Sequence, residues 1–163
     1  MSDPSLKDVM RTFPQGVTVV TAEGDDGPRG ITVSSFTSVS VAPPLVLICI
    51  LKEARAHDAI RKGRFVVNVL AEGQGAVSVH FASPKLSSEE QFDGYGFPQL
   101  EGCLGYLHCN VVDQSSQGTH TVFFGAVDQI ELGAKSGSGS VELKPLVFCS
   151  RQYWGLGQTV HER

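Results

Sequence analysis

Two adjacent serines, Ser34 and Ser35, have the chemistry of a nucleophile and stand in the short stretch Thr32-Val-Ser-Ser35. Nucleophilic catalysis needs a base beside the hydroxyl, and many serine hydrolases hold the serine in a GxSxG turn. These serines have no GxSxG around them, and the sequence shows no evident Cys–His pairing. The pattern alone therefore favours an exposed strand end whose hydroxyls are bonded locally.

Histidine and cysteine, the residues that most often bind metals, show no metal-binding spacing. The five histidines contain no i,i+3 or i,i+4 pair, and the four cysteines contain no CxxC pair. They are His57, His80, His108, His120 and His161, and Cys49, Cys103, Cys109 and Cys149. All four cysteines lie in apolar, strand-like segments, which indicates buried, reduced thiols. We therefore predict no metal site.

The common nucleotide-binding motifs are also absent from the sequence. It contains neither a GxGxxG that closes a strand and opens a helix nor a GxxxxGK[ST] loop. The Gly- and Ser-rich stretch 133–140 precedes no apolar helix, so we interpret it as a linker. Any nucleotide would have to be bound by another architecture.

Length and composition limit the remaining classes of protein to which the chain could belong. A chain of 163 residues with 41% hydrophobic and 18% charged residues fits one globular domain, here residues 1–163 with a core at about 6–157. With a net charge of −4 and no basic stripe, a nucleic-acid partner is not expected. The N-terminus lacks a secretory signal, and no apolar run reaches the roughly 20 residues of a membrane span. We expect a cytoplasmic protein with no membrane contact.

Hydrophobic patterning predicts many short strands and few helices. Strands are predicted at 16–21, 30–33, 45–51, 64–70, 103–112, 120–132 and 146–153, and helices after Pro4 and at 53–62 and 74–82. Stretch 83–102 is predicted to be a long loop, and 113–118 a hairpin turn. Several neighbouring strands are joined by turns too short for a parallel crossover, so the sheet must be largely antiparallel. So many short apolar strands favour closure into a barrel.

Six collinear segments carry a resemblance to a known family. They are Gly16-Val-Thr-Val-Val-Thr21, Gly30-Ile-Thr-Val-Ser-Ser-Phe-Thr-Ser-Val-Ser40, Pro43-Pro44-Leu-Val-Leu-Ile-Cys49, Phe65-Val-Val-Asn-Val-Leu70, Gly118-Thr-His-Thr121 with Phe124-Gly125, and Pro145-Leu146-Val with Tyr153. In this order the chain resembles the short-chain NAD(P)H:flavin reductases, which supply the reductase component of two-component flavin monooxygenases. The resemblance implies a mainly β fold: a six-stranded antiparallel Greek-key split barrel with flanking short helices, which forms a homodimer.

The same resemblance implies a set of cofactor-binding residues. The segment Thr32, Val33, Ser34 and Ser35 would lie along the flavin ring edge, and Cys49, Ile50, Leu51 and Lys52 would form the end of the next strand. Lys52 and Arg55, at the start of a predicted helix, suit a phosphate. Ala54 and Ala56 depart from the family, in which hydroxyl residues are frequent at these positions. The choice between FMN and FAD therefore stays open.

The resemblance also implies further residues near the flavin and nicotinamide. His80 and Phe81 match positions near the ribityl or adenine side, although a histidine on a helix face is more often structural. His120 matches a catalytic histidine beside the nicotinamide, and Tyr153 an aromatic residue near the same pocket. The implied activity is hydride transfer from NADH or NADPH to FMN or FAD, with reduced flavin passing to a partner monooxygenase. The alternatives are a non-enzymatic split-barrel module that binds FMN or haem, and a reductase of a corrinoid or ferric complex.

Overall fold

The chain folds mainly into β-strands flanked by short helices, as seen in a computed structural model that describes residues 3–133 and 143–157. The helices are α1 (Leu6–Thr12), α2 (His57–Arg61), α3 (Gly75–Phe81) and α4 (Ser88–Phe92). The strands are β1 (Gln15–Gly16), β2 (Thr18–Gly24), β3 (Gly27–Val33), β4 (Phe36–Val41), β5 (Pro44–Leu51), β6 (Arg64–Val69), β7 (Gly105–Gln117), β8 (His120–Leu132), β9 (Val147–Cys149) and β10 (Gln152–Trp154).

The main sheet has seven antiparallel strands, one more than the six-stranded barrel that the family resemblance implies. Their order is β3-β2-β6-β7-β8-β5-β4. The edge strands β3 and β4 are consecutive in sequence, joined by Ser34 and Ser35, and β3 also contacts β5. The sheet therefore curls until its two edges approach each other. A second, smaller sheet has the order β1-β9-β10.

Alternation of apolar residues explains why the strands bury one face. In β5, Val46, Ile48 and Ile50 are 4%, 0% and 1% exposed, while the residues between them are half-buried. The same period places β2, β6 and β8 side chains in a core that includes Val20, Val67 and Phe123. A second apolar cluster lies under α3 and includes Phe81 and Leu100.

The helices and turns differ in four places from the sequence-based prediction. Helix α2 begins at His57 rather than 53, and α4 forms inside the stretch predicted as a loop. Strand β7 continues to Gln117, so the predicted hairpin between β7 and β8 is confirmed, but its turn lies at Gly118 and Thr119 and not at 113–118. The predicted final strand is interrupted by Ser150 and Arg151, whose φ values are 51° and 63°. The predicted linker, beyond Gly133, lies outside the described residues.

Within the described residues, no helix is long and apolar enough to cross a bilayer.

Candidate functional site

The predicted stretch 32–35 begins on the free edge of β3. The backbone N–H and C=O of Gly30 bond to the side-chain amide of Gln91, each over 2.9 Å, and so point away from β2. Outward and inward groups alternate along an antiparallel strand, so the N–H and C=O of Thr32 also point outward. Thr32 therefore offers a hydrogen-bond donor and an acceptor at the sheet edge.

The end of β5 presents a matching free edge. The N–H of Cys49 donates to the C=O of Ser35 over 3.1 Å, and the Ser35 hydroxyl donates to the C=O of Cys49 over 2.8 Å. By the same alternation, the N–H of Leu51 points past the end of β4, towards β3. We call the space between Thr32 and Leu51 the seam.

A cleft of about 340 Å³ opens beside the seam. Its lining includes three of the predicted residues, Leu51, Arg55 and Phe81. The rest of the lining comes from β3, from the turn after β5, from the segment that follows α3, and from Gln91 of α4. The fold thus brings together predicted residues from two separate parts of the sequence, 51–55 and 81.

The two predicted phosphate-binding cations point to different places. Arg55 lines the cleft, and its Nη1 donates to the C=O of Leu86 over 2.6 Å. Lys52 does not line this cleft, and its Nζ donates to the C=O of Gly118 over 2.7 Å. Because α2 begins at His57, Arg55 lies in a turn and not at a helix N-terminus. Of the two cations, Arg55 is the one placed to bind an anion in the cleft.

Three predicted residues have side chains in the core. Val33 is 3% exposed, Ile50 1% and Phe81 1%. Val33 and Ile50 could therefore meet a cofactor only through their backbones, whereas the Phe81 ring lines the cleft.

One side of the cleft is closed by α3 and α4, which we call the α3–α4 wall (residues 75–92). The Nε2 of His80 lies 2.9 Å from the C=O of Gln91, and the imidazole lies against the ring of Tyr95, with centroids 4.8 Å apart. The ring of Phe81 contacts the ring of Phe92, with centroids 5.3 Å apart. His80 therefore links α3 to α4 and to Tyr95.

Tyr153 also belongs to this side of the molecule. The Thr32 hydroxyl donates to the C=O of Ser78 over 2.6 Å, and the Ser78 hydroxyl lies 2.8 Å from the hydroxyl of Tyr153. The Tyr153 ring packs over Gly75, and its centroid lies 5.2 Å from that of Phe148. Tyr153 thus joins the C-terminal strands to α3.

The turn between β7 and β8, with its flanking residues 117–120, lies on the β5 side of the seam, and we call it the hairpin end. His120 is exposed, and its Nδ1 lies 2.9 Å from the hydroxyl of Thr119. In the sheet register His120 pairs with Leu51, one of the cleft residues. The predicted catalytic histidine therefore lies at the end of the seam with its imidazole open to solvent.

Ser34 lines a second cavity. This cavity, of about 380 Å³, is formed by β1, the start of β2, the β3–β4 link, the end of β6 and the Pro145–Leu146 segment. Strand β3 lines the first cleft as far as Ile31. Ser34, which follows the end of β3, lines the second cavity. The stretch 32–35 thus runs between the two.

Sequence reasoning missed His57. Its Nε2 lies 2.9 Å from the Thr121 hydroxyl, its side chain is 12% exposed, and its ring lies against Phe123. It joins the segment that carries Arg55 to the strand that begins at His120. No local motif marks this role, because Thr121 is 64 residues away.

Three of the four thiols are poor candidates for chemistry. Burial raises the pKa of Cys103 to about 11 and that of Cys109 to about 12, and it also raises the pKa of Cys49. A protonated thiol is a weak nucleophile and metal ligand at neutral pH. In the described ranges, no three His, Cys, Asp or Glu side chains are grouped to hold a metal ion.

Comparison with known proteins agrees with this geometry. The reductase subunit HsaB of a flavin-dependent monooxygenase from Mycobacterium tuberculosis is 38% identical over 163 residues, covering 94% of this chain and 83% of that protein. The NADH-dependent FAD reductase of Streptomyces globisporus is 41% identical over 132 residues, covering 75% of this chain and 72% of that protein.

Solved structures give the same result. The Streptomyces globisporus C-1027 NADH:FAD oxidoreductase SgcE6, in complex with NAD and FAD fragments, has a TM-score of 0.82 and 33% identity, covering 96% of this chain and 93% of that one. The flavin reductase like domain model matches residues 10–157. The chain therefore belongs to the flavin reductase-like family.

Proposed function

We propose that the chain is an NAD(P)H:flavin oxidoreductase that transfers a hydride from NADH or NADPH to FMN or FAD. The observation that carries this proposal is the seam, where free backbone groups of Thr32 and Leu51 adjoin a cleft lined by Arg55. Relatives that are named as NADH-dependent flavin or FAD reductases support the same reaction.

A flavin fits the residues of this site. Its flat ring carries hydrogen-bond donors and acceptors on its edge, which complement the N–H and C=O groups of Thr32 and the N–H of Leu51. Gly30 has no side chain, and the Phe81 ring therefore packs directly against the backbone of the strand. A Cβ at this position would lie 2.5 Å from Phe81 Cδ1. Arg55 gives the cleft the positive charge that a flavin phosphate needs.

The protein's part in the reaction is binding, orientation and exclusion of water. Bound flavin supplies the hydride acceptor, and bound nicotinamide the hydride. Thr32 and Leu51 orient the ring edge, Ser34 and Ser35 extend this contact, and Arg55 binds the phosphate. His120, exposed at the other end of the seam, positions the nicotinamide. Lys52 keeps the hairpin end in place through its bond to Gly118.

We further propose that the chain is one split-barrel domain over residues 1–163. The six strands β2, β3, β5, β6, β7 and β8 would form the Greek-key barrel, with β4 as an added edge strand. The contact between β3 and β5, and the TM-score of 0.82 to a flavin reductase, support this assignment.

A homodimer is the assembly that we propose. The aromatic stretch 92–97 packs on its own chain, with the rings of Phe92 and Phe97 5.4 Å apart. The reason for this proposal lies on the outer face of β5 and β8, where half-buried apolar residues pair across the strands. The pairs are Leu45 with Ala126, Leu47 with Phe124 and Cys49 with Val122. Light scattering should give twice the chain mass, and Phe124→Asp should give the monomer.

A flavin-dependent monooxygenase is the proposed receiver of the reduced flavin. Several relatives are named as reductase subunits or components of monooxygenases, including that of Mycobacterium tuberculosis. We place the reaction in the cytoplasm.

The decisive experiment is oxidation of NADH or NADPH by the purified chain with FMN or FAD added, followed at the nicotinamide absorbance band. We expect multiple turnovers with at least one pair of substrates. Tight flavin binding without turnover would instead indicate a flavin-binding module, and absence of flavin binding would overturn the proposed site.

A further inference from the structure

Arg29 is a nearly buried cation with weak partners. Its side chain is 13% exposed, and arginines covered to this extent are normally paired with an acid or fully hydrogen-bonded. Its Nη1 donates to the C=O of the adjacent Pro28 over 3.3 Å, and its Nη2 lies 3.8 Å from the carboxylate of Asp26, which is 89% exposed. Both contacts are long, so most of the guanidinium's binding capacity is unused.

Arg29 and Arg55 stand together between two hollows. Both line the cleft beside the seam, and both line a second hollow of about 300 Å³. The second hollow continues past the arginines and is lined by polar residues such as Asp58 and Lys62. A ligand that runs from the seam through the cleft into the second hollow would therefore pass both guanidinium groups.

We propose that Arg29 and Arg55 together bind the diphosphate of FAD, so that Arg29 selects FAD over FMN. This inference rests on the proposed function. Arginine forks suit phosphate oxygens, and two of them match the two phosphates that FAD has and FMN lacks. Arg29 lies three residues before Thr32, which is about 10 Å along a strand and comparable with an extended ribityl chain.

The second hollow suits the remainder of FAD. It has carboxylates, including Asp25 and Asp58, that can accept hydrogen bonds from ribose hydroxyls and an adenine amino group. The exposed Asp26 competes with the diphosphate for Arg29, because it is the acid nearest to that guanidinium.

Titrating FAD and FMN separately into the wild type and three variants tests the proposal. Arg29→Gln should weaken FAD binding by about ten- to a hundredfold and leave FMN affinity within about twofold. Arg55→Gln should weaken both flavins. Asp26→Asn should tighten FAD binding by up to about fivefold, because a competing surface ion pair is removed. Equal losses of FAD and FMN affinity in Arg29→Gln, or none, would overturn the assignment.

A matched control and a second substrate complete the test. Arg64→Gln removes an equally charged but exposed side chain that pairs with Asp128 and lines neither hollow, so it should change neither affinity. If Arg29→Gln raised the KM for NADPH and not that for NADH, with FAD affinity unchanged, the anion would be the NADPH 2′-phosphate and the proposal would fail. A wild type that binds neither flavin would instead refute the proposed function.

Discussion

The two sides of the seam are built in opposite ways. On the α3–α4 wall, the polar groups next to the cleft bond within the protein: Gln91 to Gly30, and Ser78 to Thr32. At the hairpin end, His120 is exposed and contacts its sequence neighbour Thr119. The wall is therefore fixed before any ligand arrives, whereas the hairpin end keeps a polar side chain free.

This difference indicates that the wall serves flavin binding and that the hairpin end serves turnover. A preorganised wall lowers the entropic cost of holding a ring in one orientation. An exposed side chain costs little to engage and to release, which suits a substrate that must leave after each cycle. Variants of the wall should therefore act on stability and flavin affinity, and variants of the hairpin end on turnover.

The largest effect should come from Gly30→Ala, which breaks the wall. The new Cβ would lie 2.5 Å from Phe81 Cδ1, so the ring must move and the Gln91 bonds must shift. We expect a loss of about 1–3 kcal/mol in the free energy of unfolding, with much weaker flavin binding. Denaturant unfolding and flavin titration measure both.

A matched control for this change is Gly157→Ala, because nothing lies within 4 Å of a Cβ at that position. It should leave both quantities unchanged. A Gly30→Ala protein as stable as the wild type would mean that the wall adapts and is not fixed.

The next effect should come from His120→Ala at the hairpin end. We expect flavin affinity to stay nearly intact while kcat/KM for NAD(P)H falls about five- to hundred-and-fiftyfold, corresponding to about 1–3 kcal/mol. Stopped-flow reduction at saturating flavin, with NADH varied, separates the two. A wild-type rate would remove His120 from the site, and complete inactivation with flavin still bound would mean that it does chemistry beyond orientation.

Thr121→Val should sharpen the comparison at the hairpin end, because His57 joins the segment that carries Arg55 to the strand that begins at His120. The substitution keeps the volume and removes the hydroxyl that lies 2.9 Å from His57 Nε2. The Nε2 of a largely buried imidazole then loses its partner, at a cost of about 1–3 kcal/mol in the free energy of unfolding. Thr121→Ser keeps the hydroxyl and should recover most of this loss. Equal instability in both variants would assign the effect to packing.

A smaller effect is expected from Tyr153→Phe, which removes one hydroxyl from the wall side. The lost hydrogen bond to Ser78 costs about 1 kcal/mol, or about 2–4 °C in Tm for a chain of this size. Differential scanning calorimetry measures the shift. No change would show that the C-terminal strands are held by apolar packing alone.

The smallest effect at neutral pH concerns Cys103 and Cys109. Their pKa values are raised by burial to about 11 and about 12, so the folded state holds these protons more tightly than the unfolded state. Stability should be independent of these thiols below their ordinary pKa near 9 and should fall as pH rises from there towards 11. Cys109→Ala should flatten this fall in urea unfolding between pH 8 and 11; an unchanged slope would contradict the assignment.

The sequence predicted the strands where β-branched and apolar residues are dense. The strands around Val20, Ile48 and Val67 were expected from such runs, and the structure confirms them. Strand β7 was cut short because Asp113 to Gln117 are polar and resemble a turn, yet these residues pair with β8. Pairing partners supply hydrogen bonds that composition does not reveal. Helix α4 did carry a local signal, the capping box of Ser87 and Glu90.

The site was harder to predict because its decisive contacts are distant in sequence. The resemblance led to Arg55, which the fold places in the cleft, and to Lys52, which the fold turns away from it. Gln91 and Arg29 carry no motif. Gln91 is 61 residues from Gly30, and Arg29 becomes notable only when its burial and its weak partners are known.

The contact between Gln91 and Gly30 has a consequence for solubility. Edge strands with free N–H and C=O groups can template strands from other molecules and so nucleate aggregates. Along β3 the outward residues are Pro28, Gly30 and Thr32. Pro28 has no N–H, and its C=O accepts a bond from the Ser88 hydroxyl over 2.6 Å. Gly30 is occupied by Gln91.

Thr32 is then the one outward residue of β3 whose backbone is open, and a single residue is too short a template for an added strand. The feature that confines the ligand to one place on the edge therefore also protects the protein from fibrous self-association. Gln91→Ala would expose a longer edge, and its solutions should turn cloudy on mild heating before those of the wild type.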